Sequence, residues 1–169
     1  MKERILTSLL TVFVISGIQA QAPSPVPRLV VGLTIDQLRA DYIEAFSALY
    51  GERGFKRLLK EGRIYTNAEY DFINVDRSSA TASIYTGTTP YYNGIPSNRW
   101  MDRGSLRIIK SVDDQDFMGV YTSENSSAKL LRSSTLSDEL KVATQGRAEV
   151  YSIAPTREMA VLAAGHAAN

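Results

Sequence analysis

Just after Arg28 the chain reads Leu29-Val30-Val31-Gly32-Leu33-Thr34-Ile35, a nearly continuous run of apolar and β-branched residues that ends at Asp36. A strand with one wet face alternates apolar and polar positions, whereas an unbroken run predicts a strand covered on both faces, as in a parallel sheet. Past Asp36 the period changes. Leu38, Tyr42, Ile43, Phe46, Leu49 and Tyr50 recur at helical spacing and Gly51 supplies a stop, which predicts a helix over 37–50. Phe55, Leu58 and Leu59 repeat the signal in a shorter helix closed by Gly62, and 64–70 alternates weakly as a second strand. The small residues from Ser78 to Tyr85 lead into Thr86-Gly87 and suit a helix packed closely on a sheet. A turn-rich loop over 88–102 and an edge hairpin strand over 107–112 come next. Thr135 and Asp138 form a capping-box start for a helix over 136–144, with Leu136, Leu140 and Ala143 facing inward. A strand over 149–154 and a helix over 157–164 complete the pattern. Strand and helix alternate throughout, so the expected fold class is α/β, a mainly parallel central sheet flanked by helices.

The N-terminus changes the extent of that domain. Lys2 and Arg4 precede an uncharged apolar run from Ile5 to Ile18, and Ala20-Gln21-Ala22 follows the small-x-small cleavage pattern. Residues 1–22 therefore read as a secretory signal, since the run is shorter than the ~20 residues a spanning helix needs. Pro23, Pro25 and Pro27 make a stiff leader over 23–27, and the folded part is expected over 28–169. The expected mature protein is exported, periplasmic or extracellular, without stable membrane insertion. Cysteine is absent, which removes disulfides and thiolate metal sites and leaves oxygen and nitrogen as ligands for any metal. Nineteen Lys and Arg against eighteen Asp and Glu form no basic stripe, so no nucleic-acid partner is expected.

Chemistry is expected beyond the carboxyl ends of the strands, where open α/β sheets bind ligands. Asp36 ends the first strand and has two readings, a cap for the helix that follows or a cation ligand. Asn74-Val75-Asp76-Arg77-Ser78-Ser79-Ala80-Thr81 is a polar turn feeding a helix, either a plain Asp or Ser cap or a place where helix N–H groups receive a phosphate beside a hydroxyl able to attack it. Asn98, in a loop with Arg99, either braces a turn or donates to a phosphate oxygen. His166 is the sole histidine, more in keeping with a structural role than with a ligand.

Taken together, the segment from Arg28 to Arg39, Gly54-Phe55-Lys56-Arg57-Leu58-Leu59, Ser83-Ile84-Tyr85-Thr86-Gly87, Gly94-Ile95 with Asn98, and Ala164-Gly165-His166 resemble the start of bacterial exported alkaline phosphatases of the phosphodiesterase/nucleotide-pyrophosphatase type. The resemblance runs from Arg28 to Asn169 and covers only the opening part of that family's usual length. It implies an alkaline-phosphatase-like α/β fold, incomplete here, and a small-molecule phosphate ester as substrate. It also implies a divalent metal, zinc in pairs, with Asp36 as the first ligand and further Asp and His ligands beyond Asn169.

The resemblance places the family's nucleophile, Thr or Ser, ten residues before Gly87 and twenty-one before the substrate-binding Asn98, and both counts fall on Arg77. An arginine forms no phospho-enzyme, though it can hold a phosphate. Ser78, the nearest hydroxyl, is then the candidate catalytic residue, with Arg77 and Asn98 as substrate-binding residues. The basic pair of the monoesterase members, shortly before Gly-His, reduces here to Arg157. The resemblance thus implies metal-dependent hydrolysis of phosphate esters by the full-length protein, and two further expectations stand beside it: a catalytically inactive relative in which Arg77 grips an anion, and a truncated chain whose apolar faces lack partners.

Overall fold

Residues 26–169 are described by the computed structural model. The expected signal over 1–22, and the leader as far as Pro25, lie outside them. Contacts group Val31–Asn169 into one unit, which holds every element below. In order these are α1 (Ala40–Ala45) with a 3-10 turn at Ser47–Leu49, α2 (Phe55–Glu61), α3 (Arg77–Thr86), α4 (Pro90–Asn93), β1 (Arg99–Asp102), β2 (Arg107–Lys110), α5 (Leu136–Ala143) and α6 (Arg157–Ala164).

The best-defined helices carry their own end signals. At α3 the Asp76 carboxylate accepts from Ser79 N and the Ser79 hydroxyl accepts from Asp76 N, each at 2.9 Å, so two first-turn donors are satisfied reciprocally. Gly87, at φ 66°, closes the helix in the left-handed region. The hydroxyls of Thr81 and Thr86 donate back to Arg77 O and Ala82 O at 2.7 Å, which lets a polar helix be buried with its groups paired. Thr135 and Asp138 form the expected box at α5. The small face of α3 admits α6 closely, and Ala82, Ile95, Val112, Ala128, Leu131 and Leu162 make the core, flanked by Trp100, Leu130 and Val161. Gly94, at φ 82°, turns the chain after α4 where a Cβ would come within 2.9 Å of Leu130 O and Arg132 Cγ.

Several expectations need correcting. The mainly parallel central sheet is not laddered among the described residues, where the single sheet is an antiparallel pair with Arg99 opposite Lys110 and Asp102 opposite Arg107. Its first strand falls inside the segment expected to be loop. The stretches 29–35, 64–70 and 149–154 take no strand pairing, and Leu33 and Ile153 stand 79% and 99% exposed. Parallel strands pair with neighbours remote in sequence, so the apolar pattern survives here without the hydrogen-bonded partners it anticipates. The helix over 37–50 shrinks to α1 and its 3-10 turn because Gln37 sits at φ 59° and none of the residues in either element is buried. On α5, Leu136 is 57% exposed and Asp138 faces inward instead, drawn by the capping box and His166.

Candidate functional site

Asp76 is the joint of the site. Besides capping α3 through Oδ1, its Oδ2 accepts from the Ser97 hydroxyl and from Asn98 N, both at 2.6 Å. One carboxylate thus fastens the loop before β1 to the first turn of α3. Burial pushes its pKa upward, but the hydrogen bonds from Ser79, Ser97 and Asn98 outweigh this and hold it below the usual carboxylate value. Asp76 is therefore charged and fully engaged.

Asn98 is oriented by what lies behind it. Its Oδ1 accepts from Ser78 Oγ at 3.3 Å and Ser111 Oγ at 3.5 Å, the two hydroxyls lie 3.1 Å apart, and Ser111 N donates to Asn98 O at 2.9 Å. With the oxygen facing the buried serines, the amide NH2 is left as an outward donor. Ser111 had no signal in the sequence, because β2 alone brings it to a helix start thirty-three residues earlier.

Asp36 comes to the same place from the other side. Thr34 Oγ1 and the Tyr85 hydroxyl lie 3.1 Å apart, and at Gly32 a Cβ would meet that hydroxyl at 2.9 Å, so the first apolar segment lies close against the end of α3. Asp36 then reaches the helix start, where Arg77 Nε donates to its Oδ2 at 2.9 Å. The cap of α1 is Arg39, without a side-chain bond, so the capping reading of Asp36 does not hold. The two side chains are 46% and 45% exposed, and an ion pair this open contributes little stability.

Asp36, Arg77 and Asn98, with Thr34, Tyr70, Asp76 and Met159 among the other walls, line a cavity of about 720 Å³. Three of the four sequence-predicted site residues are thereby brought together. Ser78 is not among the lining residues. It is fully buried behind Asn98, its hydroxyl turned to Asn98 and Ser111. His166 and Arg157 are also directed elsewhere. His166 Nδ1 lies 2.9 Å from Asp138 Oδ2 and Nε2 lies 2.9 Å from Leu131 O, while Arg157 holds Asp113, Glu124 and Ser126.

The donor set decides what ion this arrangement can hold. Asp36 has one oxygen committed to Arg77, Asp76 is committed to three donors, and no group of three His, Asp or Glu able to hold a metal occurs among the described residues. Hard divalent cations need several such ligands, and a guanidinium beside the one open carboxylate oxygen repels them. By themselves these residues do not complete a site for the metal that the resemblance implies, whose further Asp and His ligands it sets beyond Asn169.

The architecture and the site define an incomplete alkaline-phosphatase-like fold. Residues superimpose on the crystal structure of wild-type alkaline phosphatase PafA with a TM-score of 0.81 at 33% identity, over 86% of this chain and 29% of that one. Because the type I phosphodiesterase / nucleotide pyrophosphatase model matches residues 30–160, the chain belongs to that family. Relatives include alkaline phosphatase PhoV of Synechococcus elongatus, 40% identical over 146 residues, and alkaline phosphatase PafA of Elizabethkingia meningoseptica, 36% identical over 165. These alignments take in 85% and 94% of this chain but only 26% and 30% of the relatives, so the chain spans less than a third of their length.

Proposed function

We propose that the cavity between Asp36, Arg77 and Asn98 is the phosphoryl pocket of a phosphate-ester hydrolase, and that this chain is the part of the enzyme that holds the phosphate and supplies the attacking hydroxyl. The observation that carries the reading is the Asp76 joint, which sets an outward amide and a guanidinium together at the positive end of a ten-residue helix. Such an end favours anions, and donors fixed before the substrate arrives stabilise a transferring phosphoryl group without reorganising. The match to a phosphodiesterase family and to two alkaline phosphatases supports the same chemistry.

Asn98 Nδ2 and the Arg77 guanidinium each take a non-bridging oxygen. Ser78 is the adjacent hydroxyl. Rotation about its χ1 releases Asn98 and Ser111 and turns Oγ toward phosphorus. The Oγ–P bond forms as the P–O ester bond breaks, the hydroxyl proton leaves with the departing alcohol, and water then cleaves the Oγ–P bond to give phosphate and restore the serine. The rival arrangement, a zinc ion on Asp36, requires Arg77 to give up Oδ2 and needs ligands that the described residues do not supply. On the N-terminal pattern alone we also place the protein outside the cytoplasm.

Turnover of a nitrophenyl phosphate ester provides the test. Ser78→Ala is expected to cut kcat by more than about a hundredfold, with Ser78→Thr retaining part of it. Unchanged kcat in Ser78→Ala removes Ser78 from the reaction. This chain alone is expected to show no turnover, and no turnover of either mono- or diester by the unaltered full-length protein removes the hydrolase reading.

A further inference from the structure

We infer that Arg77 occupies the place a metal ion would take: Asp36 steers its guanidinium through Nε, and the two terminal NH2 groups form a fork that binds a tetrahedral oxyanion, inorganic phosphate or an ester's phosphate group, with no metal between. The inference rests on the reading of the cavity as a phosphate site and specifies how the anion is held.

Three observations carry it. The first is the side of the guanidinium that is used. Asp36 Oδ2 accepts from Nε at 2.9 Å, and among the described residues Arg77 makes no other side-chain hydrogen bond, so both terminal nitrogens remain available. A guanidinium bound on its Nε side is held in one plane, and its terminal pair matches two oxygens of a phosphate in a way an ammonium or a single amide does not. The second is the choice of partner. Asp76 is the residue next to Arg77, yet its carboxylate is saturated by Ser79, Ser97 and Asn98, leaving Asp36, forty-one residues away, as the carboxylate that pairs. The third is the placement. Asp36, Arg77 and Asn98 line one cavity of about 720 Å³, with room beside the pair for a phosphate and its ester group. Asn98, with its oxygen turned to Ser78 and Ser111, adds a neutral donor on the same wall.

The arrangement is carboxylate, cation, anion in series, the order a metal site also uses, with a covalently attached cation in the middle. Asp36 is a positioning residue in this scheme. It neutralises Arg77 when the pocket is empty and fixes its plane when an anion arrives. A divalent ion on Asp36 would face the guanidinium at close range, so metal and Arg77 exclude one another there.

Calorimetric titration of the 169-residue chain with inorganic phosphate, once in EDTA and once with zinc in its place, separates the possibilities. The expected result is a Kd that agrees within about twofold between the two conditions, weakens about tenfold or more in Arg77→Met, and falls between in Arg77→Lys, which keeps the charge but not the fork. Thermal melts of each variant confirm that the half-exposed substitutions leave the fold intact. Phosphate binding that needs zinc, disappears in Asp36→Asn and survives in Arg77→Met overturns the inference and leaves the phosphate reading standing. Absence of phosphate binding in both conditions overturns the two together.

Discussion

Asp76 accepts three hydrogen bonds and Asp36 accepts one, and that difference assigns their work. Sequence alone gave Asp36 two readings, and the turn at Gln37 removed one of them by starting the helix later, at an Arg39 cap. Arg77 was legible as an oddity by counting from Gly87 and Asn98, but its partner was not, since a pairing across forty-one residues has no local signature. The same is true of His166. Its two ring nitrogens face the Asp138 carboxylate and the Leu131 carbonyl, both acceptors, so the surroundings favour the protonated ring. Burial lowers its pKa, but the Asp138 and Leu131 hydrogen bonds and the Asp138 charge more than reverse this and leave it raised above 6.5. For Asp138 burial acts upward, and the His166, Thr135 and Ala167 hydrogen bonds overcome it, bringing the carboxyl to about 2. A raised histidine contributes stability that is complete below 6.5 and lost as pH climbs through its folded value. The depressed carboxyl contributes above 3.8 and loses its effect as pH falls toward about 2. Urea midpoints measured from pH 2 to 9 should therefore decline at both ends, and His166→Gln should flatten the alkaline decline. A midpoint that rises between pH 6.5 and 8 in the unaltered protein would contradict the raised histidine.

Among the elements, those whose ends are written locally were readable to within a residue. The box of Thr135 with Asp138 and the run 157–164 came out where their residues placed them, and of the Asp or Ser cap expected before α3 it is Asp76 that caps, in a box with Ser79. Elements that need a distant surface did not, as the shortened α1 and the unladdered strands show. Two glycines test the local rule. Gly87 and Gly94 both stop a helix at positive φ, but a Cβ at Gly87 meets nothing within 4 Å whereas one at Gly94 meets the Leu130 carbonyl and the Arg132 side chain at 2.9 Å. Gly87→Ala should cost about 1–2 kcal/mol, the backbone term for an L-residue in that region. Gly94→Ala should cost more, since backbone oxygen cannot swing aside. Equal losses in urea unfolding would show that the clash at Gly94 relaxes.

At the scale of the molecule, the apolar sequence over 29–35 and 149–154 was read as strand, but neither stretch takes a strand partner, and apart from the buried Val150 their large apolar side chains lie open rather than covered. Exposed β-prone edges recruit one another, so the chain should self-associate with concentration in sedimentation runs. Leu33→Lys with Ile153→Lys should reduce that association while shifting the stability by no more than about 0.5 kcal/mol per site, because neither side chain is packed. A large loss of stability instead would place them in the core. Arg157 has a different reach. From the first turn of α6 it holds Asp113 on one flank of a loop and Glu124 and Ser126 on the other, while Asp113 and Ser126 also bridge directly. Phe117, Met118 and Tyr121 protrude between those flanks. A chymotrypsin nick there should leave two fragments that still elute together as one species and separate only in denaturant, because the cut ends remain tied to the same guanidinium.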